Sequence, residues 1–355
     1  MNDKITFIDL WNLKNKDINK KKIPKKLLKL YNLRKEQLKY KFNTKNKTII
    51  NKYRNILNQP SNIINPETLV KKIKDNYKNN KNINIIVKDI EDLKKENLNL
   101  ILSVDKNTSK MLICEHIVNN KKPIILVGKG VTYDTGGYII KDKDSMNNMH
   151  LDKLGGCLCL YILEKLIKEN TKKSVVVCIP LVENTISNNS TKPGDIIKSY
   201  SKLDVEISNT DAEGRLIIAD ALSYCIKNYK YRYIIDMGTF TEISNCYVSY
   251  TYFSLNNMLK NKLKKEAKQY SENIDELKLL IEYLNLTKST KADVINEVSS
   301  CKYNDDVMIC YFLLNFIPKN EYKKWLHINL PTITVNDDYS IMEGSESIYN
   351  FIKKL

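Results

Sequence analysis

Apolar residues along this chain fall into two patterns. Short continuous runs rich in Ile, Leu and Val read as strands buried on both faces. They are NINIIV (82–87), LNLILSV (98–104), KMLICEHI (110–117), PIILVG (123–128), SVVVCIPL (174–181), YRYIIDMG (231–238) and WLHINL (325–330), with a short DVEIS (204–208) among them. Other stretches carry helical spacing. One helix starts near Asn65-Pro66, where a proline suits the first turn. Further helices are predicted over 147–169, 212–229, about 257–284 and about 306–317. In the third of these helices Leu216, Ile217, Ala219, Ala221, Leu222 and Cys225 form the inward face. Strands alternating with helices predict an α/β fold with a mixed, largely parallel central sheet and helices on both faces.

Residues 1–57 break this rhythm. They are rich in Lys and Asn with scattered apolar positions, which fits a short helical N-terminal segment or partial disorder. The chain's 355 residues are enough for one large α/β domain or two modest ones. Glycine marks a second division. All ten glycines lie at or after Gly128, and nine fall between Gly128 and Gly238. Glycine goes where backbone turns left-handed or approaches something closely, so the working loops belong in that window.

Composition narrows the class. The chain is 42% hydrophobic and 28% charged, ordinary for a soluble protein. It has no run of 18 or more apolar residues and no apolar core in MNDKITFIDLWNLKNKDINKKK, so neither a membrane partner nor a secretory route is expected, and the location expected is cytoplasmic. The net charge of +17 points towards nucleic acid or simply towards a lysine-rich code. Only Arg34, Arg54, Arg215 and Arg232 are arginines, which leaves 54 of the 58 basic residues as lysine. Lysines spread thinly, without an arginine stripe, suit non-specific phosphate contact at most. The eight cysteines include no C-x-x-C pair and read as buried free thiols. The three histidines, His116, His150 and His327, are far apart, so any metal must be held mostly by carboxylates.

Two segments carry chemistry. In VGKGVTYDTGGYIIKDKDSMNNMHLDKLGG (127–156), Lys129, Asp134, Lys141 and Asp152 follow a strand end among glycines. Ligands in open α/β sheets bind at the carboxyl ends of strands. Gly128-Lys129-Gly130 lacks the spacing of a phosphate loop. Alone, these carboxylates fit solvated loop charges equally well. In SNTDAEGRLIIADAL (208–222), Asp211 and Glu213 precede a helix, which is also ordinary capping chemistry. Arg215 in the first turn opposes the helix dipole and calls for an anionic partner. Together, four carboxylates and two lysines on such loops form a cluster that needs cations. Two divalent ions about 3.5–4 Å apart, bridged by shared carboxylates, would satisfy it.

These strings resemble the leucyl aminopeptidase (cytosol aminopeptidase) family. NTDAEGRLIIADAL (209–222) is similar to its signature, and VGKGVTYDTGGY with the downstream lysine, methionines and aspartate matches at the same spacing. Glu183-Asn184 and Lys192 to Asp195 also keep the family spacing, and weaker similarity extends from 58 to about 335. The resemblance implies a di-zinc metallo-exopeptidase that releases the N-terminal residue of a peptide with a free N-terminus. It implies that Lys129, Asp134, Asp152 and Glu213 hold a tighter ion. Asp134, Asp211 and Glu213 would hold a more exchangeable one (Zn, or Mn or Mg). Lys141 would polarise the scissile carbonyl, and Arg215 would hold a bicarbonate ion as general base. Met149, Asn209, Thr239 and Glu242 would line the substrate site, with Pro331 and Thr334 nearby. A homo-hexamer is implied as well. Because some bacterial relatives bind DNA, the alternative is a catalytically weak relative with a DNA-binding or structural role. Against it, all seven matched metal and catalytic positions keep the expected residue type.

Three departures stand out. The family's N-terminal domain is longer than the 57 residues before Asn58. The C-terminal loop near 343–347 reads EGSES, without arginine. A pocket-wall glycine is replaced by Glu242, in Thr239-Phe240-Thr241-Glu242. A glutamate there adds volume and negative charge, which disfavours a leucyl and favours a small or basic first residue. Wild type should therefore prefer alanyl, lysyl or arginyl over leucyl substrates in kcat/KM, and Glu242→Gly should reverse this. A leucine preference unchanged by the substitution would remove Glu242 from the pocket.

Overall fold

The computed structural model describes residues 48–241, 248–270, 272–280, 285–298, 305–331, 334–335, 339–340 and 342–355. Among them, helix α1 (Ile49–Leu57) and α2 (Pro66–Tyr77) lead into strand β1 (Asn84–Lys88). Then come α3 (Ile90–Glu96), α4 (Asn99–Val104), β2 (Lys110–His116), β3 (Ile124–Gly128) and β4 (Gly130–Asp134). A short helix α5 (Lys143–Met146) and a 3-10 turn (Met149–Leu151) precede α6 (Leu154–Lys168). They are followed by β5 (Val175–Asn184), β6 (Ile196–Lys198), β7 (Asp204–Glu206), α7 (Glu213–Asn228), β8 (Tyr233–Gly238), β9 (Tyr250–Phe253) and α8 (Asn257–Gln269). Towards the C-terminus lie β10 (Ile274–Glu276), β11 (Val294–Ile295), α9 (Asp305–Leu314), β12 (Trp325–Asn329) and α10 (Ser345–Lys354).

The main sheet runs β1-β2-β5-β3-β8-β12-β9-β10, with β4 beside the end of β5. Its centre is parallel: β5 with β3, β3 with β8, and β8 with β12. The pairs β1/β2, β2/β5 and β12/β9 are antiparallel, so the sheet is mixed as the sequence pattern predicts. Alternation along the central strands feeds two cores. Ile124 and Leu126 of β3 join Leu158 of α6 and Ile348 of α10 on one face. Ile125 and Val127 join Leu216 of α7 and Ile309 of α9 on the other. Residues of α1 belong to the first core: Tyr53, Ile56 and Leu57 are buried there. Tyr53 also donates to the buried Glu164 of α6 at 2.8 Å. The cysteines Cys114, Cys157, Cys159, Cys178, Cys225 and Cys310 are buried and free, as expected.

Three predicted elements differ. LNLILSV forms helix α4 rather than a strand. Its start has no side-chain cap of its own. The cap comes from α7, where Asp220 Oδ2 accepts the N–H groups of Leu100 at 2.7 Å and Ile101 at 3.4 Å. Its Oδ1 accepts Tyr200 N–H at 2.8 Å. A partner 120 positions away is invisible to local periodicity. The helix predicted over 257–284 stops at Gln269, because Ile274–Glu276 instead pairs with the open edge of β9. The 147–169 stretch is interrupted before α6, where Asn148 turns left-handed (φ 65°) and the 3-10 turn follows.

Asp220→Ala should strip the acceptor from three N–H groups, two of them buried. The expected cost is about 1–3 kcal/mol, read as a lower Tm. An unchanged Tm would show that α4 holds without this cap.

Candidate metal centre

Four neighbouring strands point their carboxyl ends at one place. Lys129 follows β3, Asp134 ends β4, Asn184 ends β5, and Thr239 follows β8. Asp152 enters from the turn before α6, and Asp211 and Glu213 from the start of α7. Two close approaches build the cradle. A Cβ on Gly214 would lie 2.6 Å from Lys129 Cε, so the first turn of α7 can pack on the lysine only through glycine. Gly136 sits at φ +85°, and its N–H donates to Asp134 Oδ1 at 2.9 Å.

The charges interlock. Lys129 Nζ donates to Asp152 Oδ1 at 2.8 Å and lies 2.8 Å from Glu213 Oε1. Lys141 Nζ lies 3.0 Å from Asp134 Oδ2 and also pairs with Asp211 Oδ1. Asn184 Nδ2 spans the middle, donating to Asp134 Oδ1 at 2.8 Å and Thr210 O at 3.0 Å, with Glu213 Oε2 at 3.4 Å. Lys129, Asp134, Asp152 and Glu213 are all buried. Burial would lower the Lys129 ammonium, but Asp152, Glu213 and Asp134 outweigh it and hold it far above its usual range. Burial and the charge of Asp134 push Glu213 up to about 8. Burial lifts Asp152 to about 6 against the pull of Lys129, and burial and Asp134 raise Asp211.

The site is short of positive charge. Two ammonium groups face four carboxylates. Asp152 Oδ2 and Glu213 Oε1 lie within ion-pairing distance of Lys129, at 2.7 and 2.8 Å, yet neither accepts a hydrogen bond. The contacts have the distance of an ion pair without hydrogen-bond geometry, and these two buried oxygens are the ones short of a donor. Asp134, Asp211 and Glu213 also offer ligand oxygens that all lie within 4.8 Å of one another. A donor set of hard carboxylate oxygens and one amine suits divalent ions, so the residues fit a metal centre.

The four residues expected to line the substrate site lie in different surroundings. Met149 is half-buried on the 3-10 turn. Asn209 is engaged locally, with its Oδ1 accepting Asp211 N–H at 2.8 Å and its amide donating to Glu297. Thr239 is buried and works inward: its carbonyl accepts Lys129 Nζ at 2.7 Å and its hydroxyl donates to Asp152. Glu242 lies outside the described residues. Arg215 is buried and donates to the carbonyl of Asn296 at 2.8 Å; burial lowers its pKa, and Glu297 and Asp305 oppose that. Two side chains gain importance only here. Asn184 was marked by its spacing alone. Lys153, fully buried, ties the turn that carries Asp152 to the carbonyls of His150 and Gln59, the latter at 3.2 Å.

Residues 51–347 match the cytosol aminopeptidase family, catalytic domain. A probable cytosol aminopeptidase of Phytoplasma mali (strain AT) is 32% identical over 305 residues, covering 83% of this chain and 60% of the relative. The chain thus spans about 60% of the length of that relative. The crystal structure of a Coxiella burnetii cytosol aminopeptidase superposes with a TM-score of 0.80 at 22% identity, covering 93% of this chain and 78% of that one. A bottromycin maturation enzyme in complex with Mn superposes at 0.79 and 20% identity, covering 86% and 70%. The catalytic-domain match runs through every residue of the charged cluster, from Lys129 to Arg215, and the chain belongs to the cytosol aminopeptidase family.

Proposed function

We propose that the chain is a metallo-aminopeptidase that hydrolyses the first peptide bond of a substrate with a free N-terminus. The observation that carries this reading is the cluster of four carboxylates, three of them buried, in which Asp152 Oδ2 and Glu213 Oε1 lack a hydrogen-bond donor. Lys129, Asp134, Asp152 and Glu213 would hold one ion, and Asp134, Asp211 and Glu213 the other. Two divalent ions, when bound, supply Lewis acidity and acidify a water molecule. Zinc and manganese both suit the donors, and the manganese complex of the bottromycin enzyme supports the second.

The chain's own residues do the rest. Lys129 has to give up its proton to serve as a ligand, because an ammonium has no lone pair. Lys141 stands at the open side of the cluster, where its ammonium would pair with the oxyanion that develops on the scissile carbonyl. Arg215 offers a buried guanidinium that would hold an anion such as bicarbonate, whose chemistry there would be that of a general base. Asn184 keeps Asp134 and Glu213 in register. We retain residues 1–57 as a short N-terminal segment ahead of the catalytic domain, 58–355, with α1 as the part that docks onto it. A cytoplasmic homo-hexamer remains the assembly that the resemblance implies, which light scattering of an active sample tests. Among the described residues no helix is long and apolar enough to cross a membrane. The comparisons give no support to a DNA-binding or structural role.

Metal-free protein titrated with Mn²⁺ or Zn²⁺ should take up about two equivalents and gain the ability to cleave an aminoacyl chromogenic amide. Glu213→Ala should weaken both equivalents. Uptake of none would end the metallo-enzyme reading.

Lys141→Ala should lower kcat by about 10²–10³-fold while leaving KM within a few-fold, because its contact forms in the transition state. A loss of tenfold or less would remove Lys141 from that role.

A further inference from the structure

Beneath the cluster lies a polar layer that the proposed chemistry does not use. Strand β12 runs parallel to β8 in a register that sets Asn329 opposite Gly238. The backbone ladder ends where Leu330 N–H donates to Gly238 O at 2.8 Å. Past that point, Phe240 N–H finds its acceptor in the Asn329 side chain, Oδ1 at 3.0 Å. Asn329 is fully buried, and its Nδ2 donates to Asp306 Oδ1 at 2.9 Å and Thr241 Oγ1 at 3.2 Å. Asp306, at the start of α9 and also buried, accepts the hydroxyl of Thr241 and that of Thr251, the latter at 3.2 Å. Phe240 packs on the ring of His327 with centroids 5.1 Å apart. The Lys129 ammonium also lies near Phe240, 5.9 Å from the ring centroid.

Residues 239–241 are therefore held from below at both Phe240 and Thr241. Above, the same segment grips the cluster through the carbonyl and hydroxyl of Thr239, which bind Lys129 and Asp152. We propose that Asn329 and Asp306 are positioning residues for the metal centre, clamping the 239–241 segment so that Thr239 aims Lys129 and Asp152. The proposal rests on the metal-binding reading of the cluster. Partners of this kind fix the orientation of ligands, and losing them typically costs about 10–100-fold in metal affinity. The hydrogen bonds of Asn329 and Asp306 to Phe240 and Thr241 would carry the effect to the cluster through the backbone of residues 239–241.

The test uses the full chain and Mn²⁺ as the probe. Asn329→Ala and Asp306→Ala should raise the Kd of the tighter equivalent by about 10–100-fold. Asp306→Asn keeps an acceptor for Asn329 and Thr241, and it should restore the Kd to within about threefold of wild type. Asp220→Ala, equally buried but bonded to Leu100, Ile101 and Tyr200 rather than to residues 239–241, should lower Tm without moving the Kd, which separates positioning from a general loss of stability. In metal-free protein, amide hydrogen exchange across 239–241 should accelerate in Asn329→Ala and not in Asp220→Ala. Kd values for Asn329→Ala and Asp306→Ala within threefold of wild type, in protein that binds two ions, would overturn the clamp. Wild type that binds no Mn²⁺ would instead overturn the metal reading. The exchange result then decides the clamp as a structural device, with unaltered exchange counting against it.

Discussion

Everything around the centre of this molecule answers to one electrostatic imbalance. Four carboxylates converge, three of them buried and Asp211 partly exposed, and two lysine ammoniums face them. An ion taken out of water costs several kcal/mol even after relaxation, and only close, well-directed partners offset it. Lys129 and Lys141 supply two such partners and leave the acids short of two positive charges. Burial therefore pushes the carboxyl groups of Glu213 and Asp152 upward. A protein relieves that tension by binding protons or by binding cations, and the hard-oxygen donor set favours divalent ones. Lys129 bridges Asp152 and Glu213, and Lys141 bridges Asp134 and Asp211, so the two lysines supply part of the positive charge the acids need.

The scaffold makes that concentration of charge possible. Strands β5, β3, β8 and β12 are parallel neighbours, so their carboxyl ends lie side by side. Each of the first three hands one side chain to the site, from Asn184, Lys129 and Thr239. The fourth hands none to it directly and supplies Asn329 underneath. Helix α7 enters with Glu213 in its first turn, where the helix dipole favours a negative charge. Gly214 lets that turn press against Lys129. The two apolar cores on either face of the sheet keep these ends from moving apart.

Much of this was legible in the sequence, for a physical reason. Buried parallel strands read as unbroken apolar runs, and IILVG and VVVCIPL appear as β3 and β5. The cluster residues sit in two glycine-bounded segments because close backbone approach needs glycine, so local spacing marked them. What local spacing could not carry was long-range pairing. LNLILSV became a helix because Asp220 caps it from another element. Residues 274–276 left their predicted helix for the edge of β9. The side-chain work of Asn329 and Asp306 was hidden because WLHINL reads only as a strand and Asp306 only as the start of a helix. Thr239 was placed on the substrate wall by resemblance, whereas its hydrogen bonds run to Lys129 and Asp152.

The most direct test of the charge imbalance is anomalous diffraction from crystals soaked in Mn²⁺ or Zn²⁺. Two anomalous peaks are predicted, one among Lys129, Asp134, Asp152 and Glu213 and one among Asp134, Asp211 and Glu213. Lys129 Nζ should turn from its pairing with Asp152 and Glu213 to face the first. An absence of peaks there, with both lysines still paired to the carboxylates, would contradict the account.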